Sequence, residues 1–249
     1  MDIERVKKII TDKKSVKILI GCILILGAIF YLKIFFTKGA YFDGVFLKKE
    51  SIEGEKHYIG KSVNGDIHII VKELESEKGN IDVIYKFPND IVKSYSVSFK
   101  ESSKGHKRIE TTVKNEMGNV IFEGTYQLEH NILFDKYGKL LIKKLIAFDM
   151  ETSYSENRYT ANYDISLTNI LEFAYSNNDT IWGNGQYLAM AIILGIILII
   201  DISNPLFFFT LKHSLSVSDP EPTDLYIAIQ RISWVVYPII IIMCLIAAI

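Results

Sequence analysis

Only two cysteines occur in the 249 residues, Cys22 and Cys244, and both lie in apolar runs. The topology argued below puts them at opposite membrane faces, so no disulfide is expected and the polar middle of the chain must fold without one. An excess of charge of one sign is also missing. Lys+Arg number 28 against 29 Asp+Glu, for a net charge of −1. That balance gives no basic surface for nucleic acid and no field to steer a partner from a distance. The five histidines, at 57, 68, 106, 130 and 213, form no H-E-x-x-H or comparable ligand spacing, and no cysteine joins them. G-x-S-x-G, phosphate-binding and dinucleotide fingerprints are absent too. An intramembrane aspartyl mechanism needs two carboxylates on facing helices, and Asp201 stands alone. Paired Asp or Glu in the polar section could form a glycosidase-like site, but charges facing out of strands are more often solvated surface. No catalytic residue, cofactor or metal site is therefore assigned. Internal repeats and low-complexity linkers are absent as well.

What the sequence does have is three apolar blocks around a polar middle. The first, Ile18 to Phe36, is apolar except for Lys33, which can snorkel outward. A cleaved signal peptide would have a shorter core and an A-x-A-like site, so this block reads as an uncleaved anchor. Leu19-Ile20-Gly21-Cys22 resembles a lipoprotein processing site. The apolar residues that follow directly, where a released lipoprotein would turn polar, make Cys22 a buried thiol instead. The second block runs from Tyr187 to Ile200 and is broken by Asp201 and Ser203-Asn204-Pro205. Trp182 and Tyr187 suit a headgroup belt. Leu206 to His213 reads as a short segment along the opposite interface, because Asn204-Pro205 cannot continue a helix. The third block is preceded by Asp219-Pro220-Glu221-Pro222-Thr223-Asp224, helix-start chemistry, and runs to Ile249 with Pro238 expected to bend it. Residues 182–249 thus form a helical hairpin around the turn 206–224.

Asp201 and Arg231 are the formal charges embedded in the hairpin, each near the turn and so at similar depth. Two readings stand. The two can form an ion pair, because unpaired charge at that depth costs about 2.5–3.5 kcal/mol, or each can snorkel to water on its own. Ala191 and Gly195, one helical turn apart, offer the small surface that lets another helix approach closely, most simply one from the same chain.

Asn204-Pro205 with its following aromatics, then Asp219 to Tyr226 and Arg231, resembles a family of small two-helix bacterial membrane proteins. That family has no assigned activity and is sometimes labelled a natural-product biosynthesis accessory. The whole chain resembles larger membrane proteins of low-GC Gram-positive bacteria, in which this tail follows an anchored β-rich domain. Neither resemblance carries a catalytic residue onto this sequence.

Lysine and arginine set the orientation. Six precede the first span (Arg5, Lys7, Lys8, Lys13, Lys14, Lys17), whereas Lys38 is the nearest after it. The hairpin turn holds Lys212 and Arg231, while the stretch before Tyr187 has none back to Arg158. The basic segment 1–17 and the turn are therefore expected in the cytoplasm, with residues 39–180 and the C-terminus outside. Within 1–17, Ile3, Val6, Ile9 and Ile10 recur at helical spacing, so a helix on the membrane surface stands beside a plain charged tail.

Residues 39–180 alternate at period two, the strand signal. Tyr95, Val97 and Phe99 face one way and Ser94, Ser96, Ser98 and Lys100 the other. Arg158 to Ile165, Val120 to Leu128, Ile67 to Val71 and Ile81 to Phe87 repeat the pattern, with Gly124 a candidate bulge. Asn64-Gly65 predicts a hairpin with His57 and His68 as surface residues flanking it. Leu140 to Phe148 is ambiguous between strand and helix, and Thr168 to Tyr175 predicts a short capped helix leading into the membrane. Asn178-Asp179-Thr180 fits a glycosylation sequon, of little weight in a bacterial chain. The expected fold is membrane α plus β: three transmembrane helices, with an extracytoplasmic antiparallel β-sandwich or open barrel between the first and second. The expected function is a non-catalytic multi-pass plasma-membrane protein whose outer domain binds a ligand or partner. Its surroundings are the bilayer and a membrane-protein partner, and nothing in the sequence names the ligand. The alternatives are an envelope enzyme acting on cell-wall or lipid material, and a self-protection protein against an envelope-active toxin.

Overall fold

The computed structural model describes residues 13–74, 79–101, 108–141, 159–176, 178–213 and 221–249. The chain divides into two units. One is built from residues up to 37 together with 181–249, and the other is Lys38–Thr180.

The second unit is one sheet. Its strands are β1 (Lys38–Phe42), β2 (Val45–Ile52), β3 (Glu55–Ser62), β4 (Gly65–Glu73), β5 (Asn80–Phe87), β6 (Ile91–Glu101), β7 (Arg108–Asn115), β8 (Val120–Gln127), β9 (Ile132–Asp135) and β10 (Leu140–Leu141), and β11 (Thr180–Ile181) lies beside β1. From β1 to β10 each strand pairs antiparallel with the next. Tight turns explain this up-and-down order. Asp43-Gly44, Glu53-Gly54 and Asn89-Asp90 each place two successive residues at positive φ, the backbone of a two-residue turn that matches strand twist. The Asn64-Gly65 hairpin is shifted by one residue. Val63 and Asn64 form the loop, and Gly65, at φ +125°, is the first residue of β4.

Helix α2 (Leu167–Tyr175) closes the core. Ser166 Oγ caps it by accepting from Asn169 N at 3.2 Å. Its Phe173 ring meets Phe42 of β1, Tyr58 of β3 and Tyr85 of β5 at centroid distances of 6.1, 5.0 and 6.1 Å. Tyr175 meets Phe99 of β6 and Tyr126 of β8 at 5.4 and 5.5 Å. On a flat sheet, strands about 4.8 Å apart would set β1 and β8 roughly 34 Å from each other. A helix about 10–12 Å across, with a nine-residue length of roughly 14 Å, cannot reach both. The sheet is therefore curled around the helix. Of the two expected forms this is the open-barrel kind, with a helix rather than a second sheet as the other layer. Helix α2 buries Ile170, Leu171, Phe173 and Ala174 in the core.

Two strand expectations are corrected. Residues 159–165 form no strand; their alternation reflects ring packing, with Tyr159 stacked on Phe87 at 4.7 Å and Tyr163 edge-on to it at 5.3 Å. The bulge lies between Val113 and Lys114 of β7, where Ile121 of β8 is the extra residue, and Gly124 pairs regularly with Thr111 and Asp135. A Cβ at Gly124 would sit 2.1 Å from the Phe134 carbonyl oxygen, so glycine is what lets β9 approach there. Arg158, residues 142–148, the surface helix of the N-terminal segment and Asp219-Pro220 lie outside the described residues.

The first unit holds α1 (Lys13–Phe35), α3 (Gly185–Ser203), α4 (Phe207–His213) and α5 (Asp224–Ala247). Helices of 23, 19 and 24 residues rise about 35, 28 and 36 Å, against a hydrocarbon core of about 30 Å. Three helices are long and apolar enough to cross a membrane. Between them, residues 204–206 break the chain where Asn204-Pro205 predicts it, and α5 begins at Asp224 with Thr223 Oγ1 accepting from Tyr226 N. Helix α5 continues through Pro238. One end of the bundle is laced by hydrogen bonds. Trp182 N donates to Thr37 O at 2.8 Å, Gly183 N to Phe35 O at 2.9 Å and Asn184 N to Ala248 O at 2.8 Å. Tyr31 OH donates to Leu245 O at 3.0 Å. The exit of α1, the start of α3 and the end of α5 therefore share one end.

Candidate functional site

Asp201 lies on the last turn of α3 and is buried in the hairpin. Its Oδ1 accepts from Gln230 Nε2 at 2.8 Å and its Oδ2 from Trp234 Nε1 at 2.6 Å. Gln230 and Trp234 sit one turn apart on α5, so both side chains reach α3 from a single helix face. The Gln230 amide also donates to the carbonyl of Pro205, which the helix break leaves free. Two acceptors around its nitrogen fix which way the amide points. Indole N–H and amide N–H₂ only donate, so both oxygens of Asp201 serve as acceptors.

The expected Asp201–Arg231 ion pair is not formed among the described residues. Arg231 is exposed, and residue 230 rather than 231 faces α3. One step along a helix turns a side chain by about 100°, enough to separate the inward from the outward face. Two charges in a sequence draw attention, whereas a glutamine and a tryptophan look like ordinary helix filler; their spacing of four residues was the available signal. Of the small pair, Ala191 is buried, while a Cβ at Gly195 would meet nothing within 4 Å. The close approach comes instead at Gly183, where a Cβ would lie 2.2 Å from the Phe35 ring. Cys22 is exposed and Cys244 buried, and both are free.

Residues 188–248 match a family of unknown function (DUF6199). The match covers roughly a quarter of the chain and includes Asp201, Gln230 and Trp234. It falls on the hairpin for which a family resemblance was drawn and brings no activity with it. No curated protein and no solved structure matches the chain.

On the sheet, the face turned away from α2 carries a groove of about 520 Å³ across β5 to β8, with Lys136 from the turn after β9. Strand alternation sends Phe99 and Thr111 toward the helix and Ser98, Lys100, Glu110 and Thr112 to the opposite face. With Glu123, Thr125 and Lys136 they give the groove hydroxyls and both signs of charge.

The same face of β3 and β4 carries His57 and His68. They are not separate surface residues: His57 Nδ1 and His68 Nε2 share a hydrogen bond of 2.8 Å, and both rings are half-buried. Glu55 lies 3.4 Å from His57 Nε2 and 2.7 Å from Lys72 Nζ. Hydrogen bonding to Lys72 holds the Glu55 carboxyl below its ordinary range. Burial, then the charges of His57 and Lys86, pushes His68 below its ordinary value. Among the described residues no group of three His, Cys, Asp or Glu is arranged to hold a metal. The Asn178 amide is itself buried, so the sequon presents no accessible acceptor.

Proposed function

We propose that this is a non-catalytic, multi-pass membrane protein that presents its curled sheet on the non-cytoplasmic side and uses the sheet groove to recognise a polar ligand or partner. The observation that carries the reading is the groove itself. It is open, hydroxyl-rich and bordered by Lys100, Lys136, Glu110 and Glu123, chemistry suited to reversible hydrogen bonding with a polar oligomer such as a peptide or glycan strand. Orientation rests on the basic N-terminal segment and on the shared end of the three helices. A role as accessory to transport, envelope assembly or a natural-product system follows from the resemblance alone.

The enzyme reading keeps one supporting observation, Glu110 and Glu123 in a single groove. Both are exposed, whereas a general acid needs apolar surroundings. The test is binding of the full chain in nanodiscs to peptide and oligosaccharide arrays. A bound oligomer should lose at least tenfold in affinity with Lys100→Glu plus Lys136→Glu, and should be recovered uncleaved. Binding unchanged by that pair would remove the groove from the account, and cleavage lost in Glu110→Gln would favour the enzyme. An impermeant thiol reagent that fails to reach Ser98→Cys in intact cells, but labels it after lysis, would refute the orientation.

A further inference from the structure

Beside the Asp201 clamp, α3, α4 and α5 enclose a cavity of about 390 Å³, bordered by the carboxylate, by the rings of Phe208, Tyr226 and Tyr237, and by Ser233. It opens past Ile229, which is 57% exposed, on the surface of the hairpin. Three facts about it belong together. Both carboxylate oxygens accept from neutral donors, Gln230 Nε2 and Trp234 Nε1, so the clamp brings no positive charge to Asp201. Among the described residues no cation pairs with it, since every ion pair lies in the β-rich unit. Three of the remaining lining residues are aromatic, Phe208, Tyr226 and Tyr237, beside Ile197, Ile229, Gln230 and Ser233, and aromatic faces attract cations that have lost water, by about 2 kcal/mol or more when desolvated. An anion within aromatic walls at the edge of an apolar helix pair is complementary to one class of ligand.

We propose that this cavity binds an organic ammonium group, with Asp201 as its counter-ion and Phe208, Tyr226 and Tyr237 as its walls. A small inorganic cation would leave most of the volume and all of the aromatic surface unused, and a neutral apolar guest would leave the carboxylate unanswered. An ammonium carrying carbon substituents uses both. The opening past Ile229 admits the head of an amphiphile from the bilayer as well as a free amine. The site lies in the hairpin and is independent of the sheet groove.

The chain itself provides the reporter. It contains two tryptophans, Trp182 and Trp234, so Trp182→Phe leaves a single indole whose N–H is bonded to Asp201. This variant, full-length in phosphatidylglycerol nanodiscs, is titrated with benzyltrimethylammonium and, separately, with its neutral tert-butyl analogue. A second arm compares discs with increasing phosphatidylethanolamine against discs carrying the N-acetylated lipid. We expect a saturable change in Trp234 emission with the cation, at least tenfold weaker for the neutral analogue, and at least tenfold weaker again in Asp201→Asn. Saturation by the free cation alone assigns a soluble amine as the source, and saturation by the amino lipid alone assigns a headgroup. An equal response to the neutral analogue, or no saturable response in either arm, overturns the proposal. The comparison of charged and neutral probes needs no change at Asp201, so it decides even where Asp201→Asn fails to fold.

Discussion

Tyr85 should be better as phenylalanine. Its ring is fully buried on β5 and touches Phe42, Phe87, Tyr95 and Phe173 at centroid distances of 5.7 to 6.1 Å. Its hydroxyl has no hydrogen-bond partner among the described residues. Burial also pushes its pKa well above the ordinary value, so the group stays a neutral, desolvated O–H. Burying such a hydroxyl unpaired costs roughly 1–3 kcal/mol. Tyr85→Phe removes that cost and keeps every ring contact. It leaves a gap the size of one oxygen atom, on the order of 0.3 kcal/mol at about 24 cal/mol per Å³. The net expectation is stabilisation by about 1–2 kcal/mol, which for the Lys38–Thr180 unit is a rise in Tm of roughly 3–8 °C. Two tyrosines buried to the same extent serve as controls. Tyr58 OH donates to Asp179 Oδ1 at 2.7 Å and Tyr126 OH to Asn131 Oδ1 at 2.8 Å. Their Phe variants each lose a part-buried hydrogen bond at the edge of the core and should be less stable by about 1 kcal/mol. The assay is thermal unfolding of the full chain in detergent, followed by the β signal in circular dichroism. The reasoning is refuted if Tyr85→Phe melts lower than the parent, as Tyr58→Phe and Tyr126→Phe should.

The clamp around Asp201 predicts that Trp234→Phe weakens the hairpin by about 0.6–1.7 kcal/mol, the range for hydrogen bonds between membrane helices; steric-trap unfolding in bicelles measures it, and Arg231→Gln should stay close to the parent. The charge swap Asp201→Arg with Arg231→Asp should accordingly fail to restore membrane accumulation lost in Asp201→Arg, and restoration would reinstate the ion pair. His68 is depressed in the folded unit, so below about pH 6.5 the unfolded chain binds the extra proton first. Stability is therefore present above that pH and is lost as pH falls toward the folded value; denaturant titrations from pH 7.5 to 5 should show the loss, and His68→Gln should flatten it. Burial raises Tyr175 to about 12, so stability present below pH 10 should fall between pH 10 and 12, and less so in Tyr175→Phe. Gly183→Val should destabilise the bundle by about 1–3 kcal/mol through overpacking against Phe35, read as a lower Tm of the helical signal.

Long periodic elements were the most legible in the sequence. The three apolar helices, the break at Asn204-Pro205 and strands such as Tyr95 to Lys100 follow from apolar runs and alternation alone, because those patterns are local and strong. Strands β1 and β2 were missed, although Asp43-Gly44 and Glu53-Gly54 mark both of their turns. Neither strand alternates cleanly: β1 reads Lys-Gly-Ala-Tyr-Phe, and β2 bunches Val45-Phe46-Leu47 ahead of Lys48-Lys49-Glu50-Ser51. Tyr159 to Ile165 shows the converse error: rings at period two look like a strand whether they hang from one or from a turn. The curl of the sheet was not readable either, since it depends on Phe173 and Tyr175 reaching strands far apart in sequence. At Asp201 the sequence marked the right residue and the wrong partner, because Coulomb attraction is evident from letters and helix phase is not.

The ladder at the shared end of the bundle joins Thr37 to Trp182 through a single 2.8 Å hydrogen bond, so the whole β-rich unit leaves and rejoins the helices across the width of one peptide pair. In architectural terms it is a cassette. Replacing residues 38–181 with a short Gly-containing linker should leave a three-helix protein that still inserts, and an unrelated domain with adjacent termini could be spliced into the same junction.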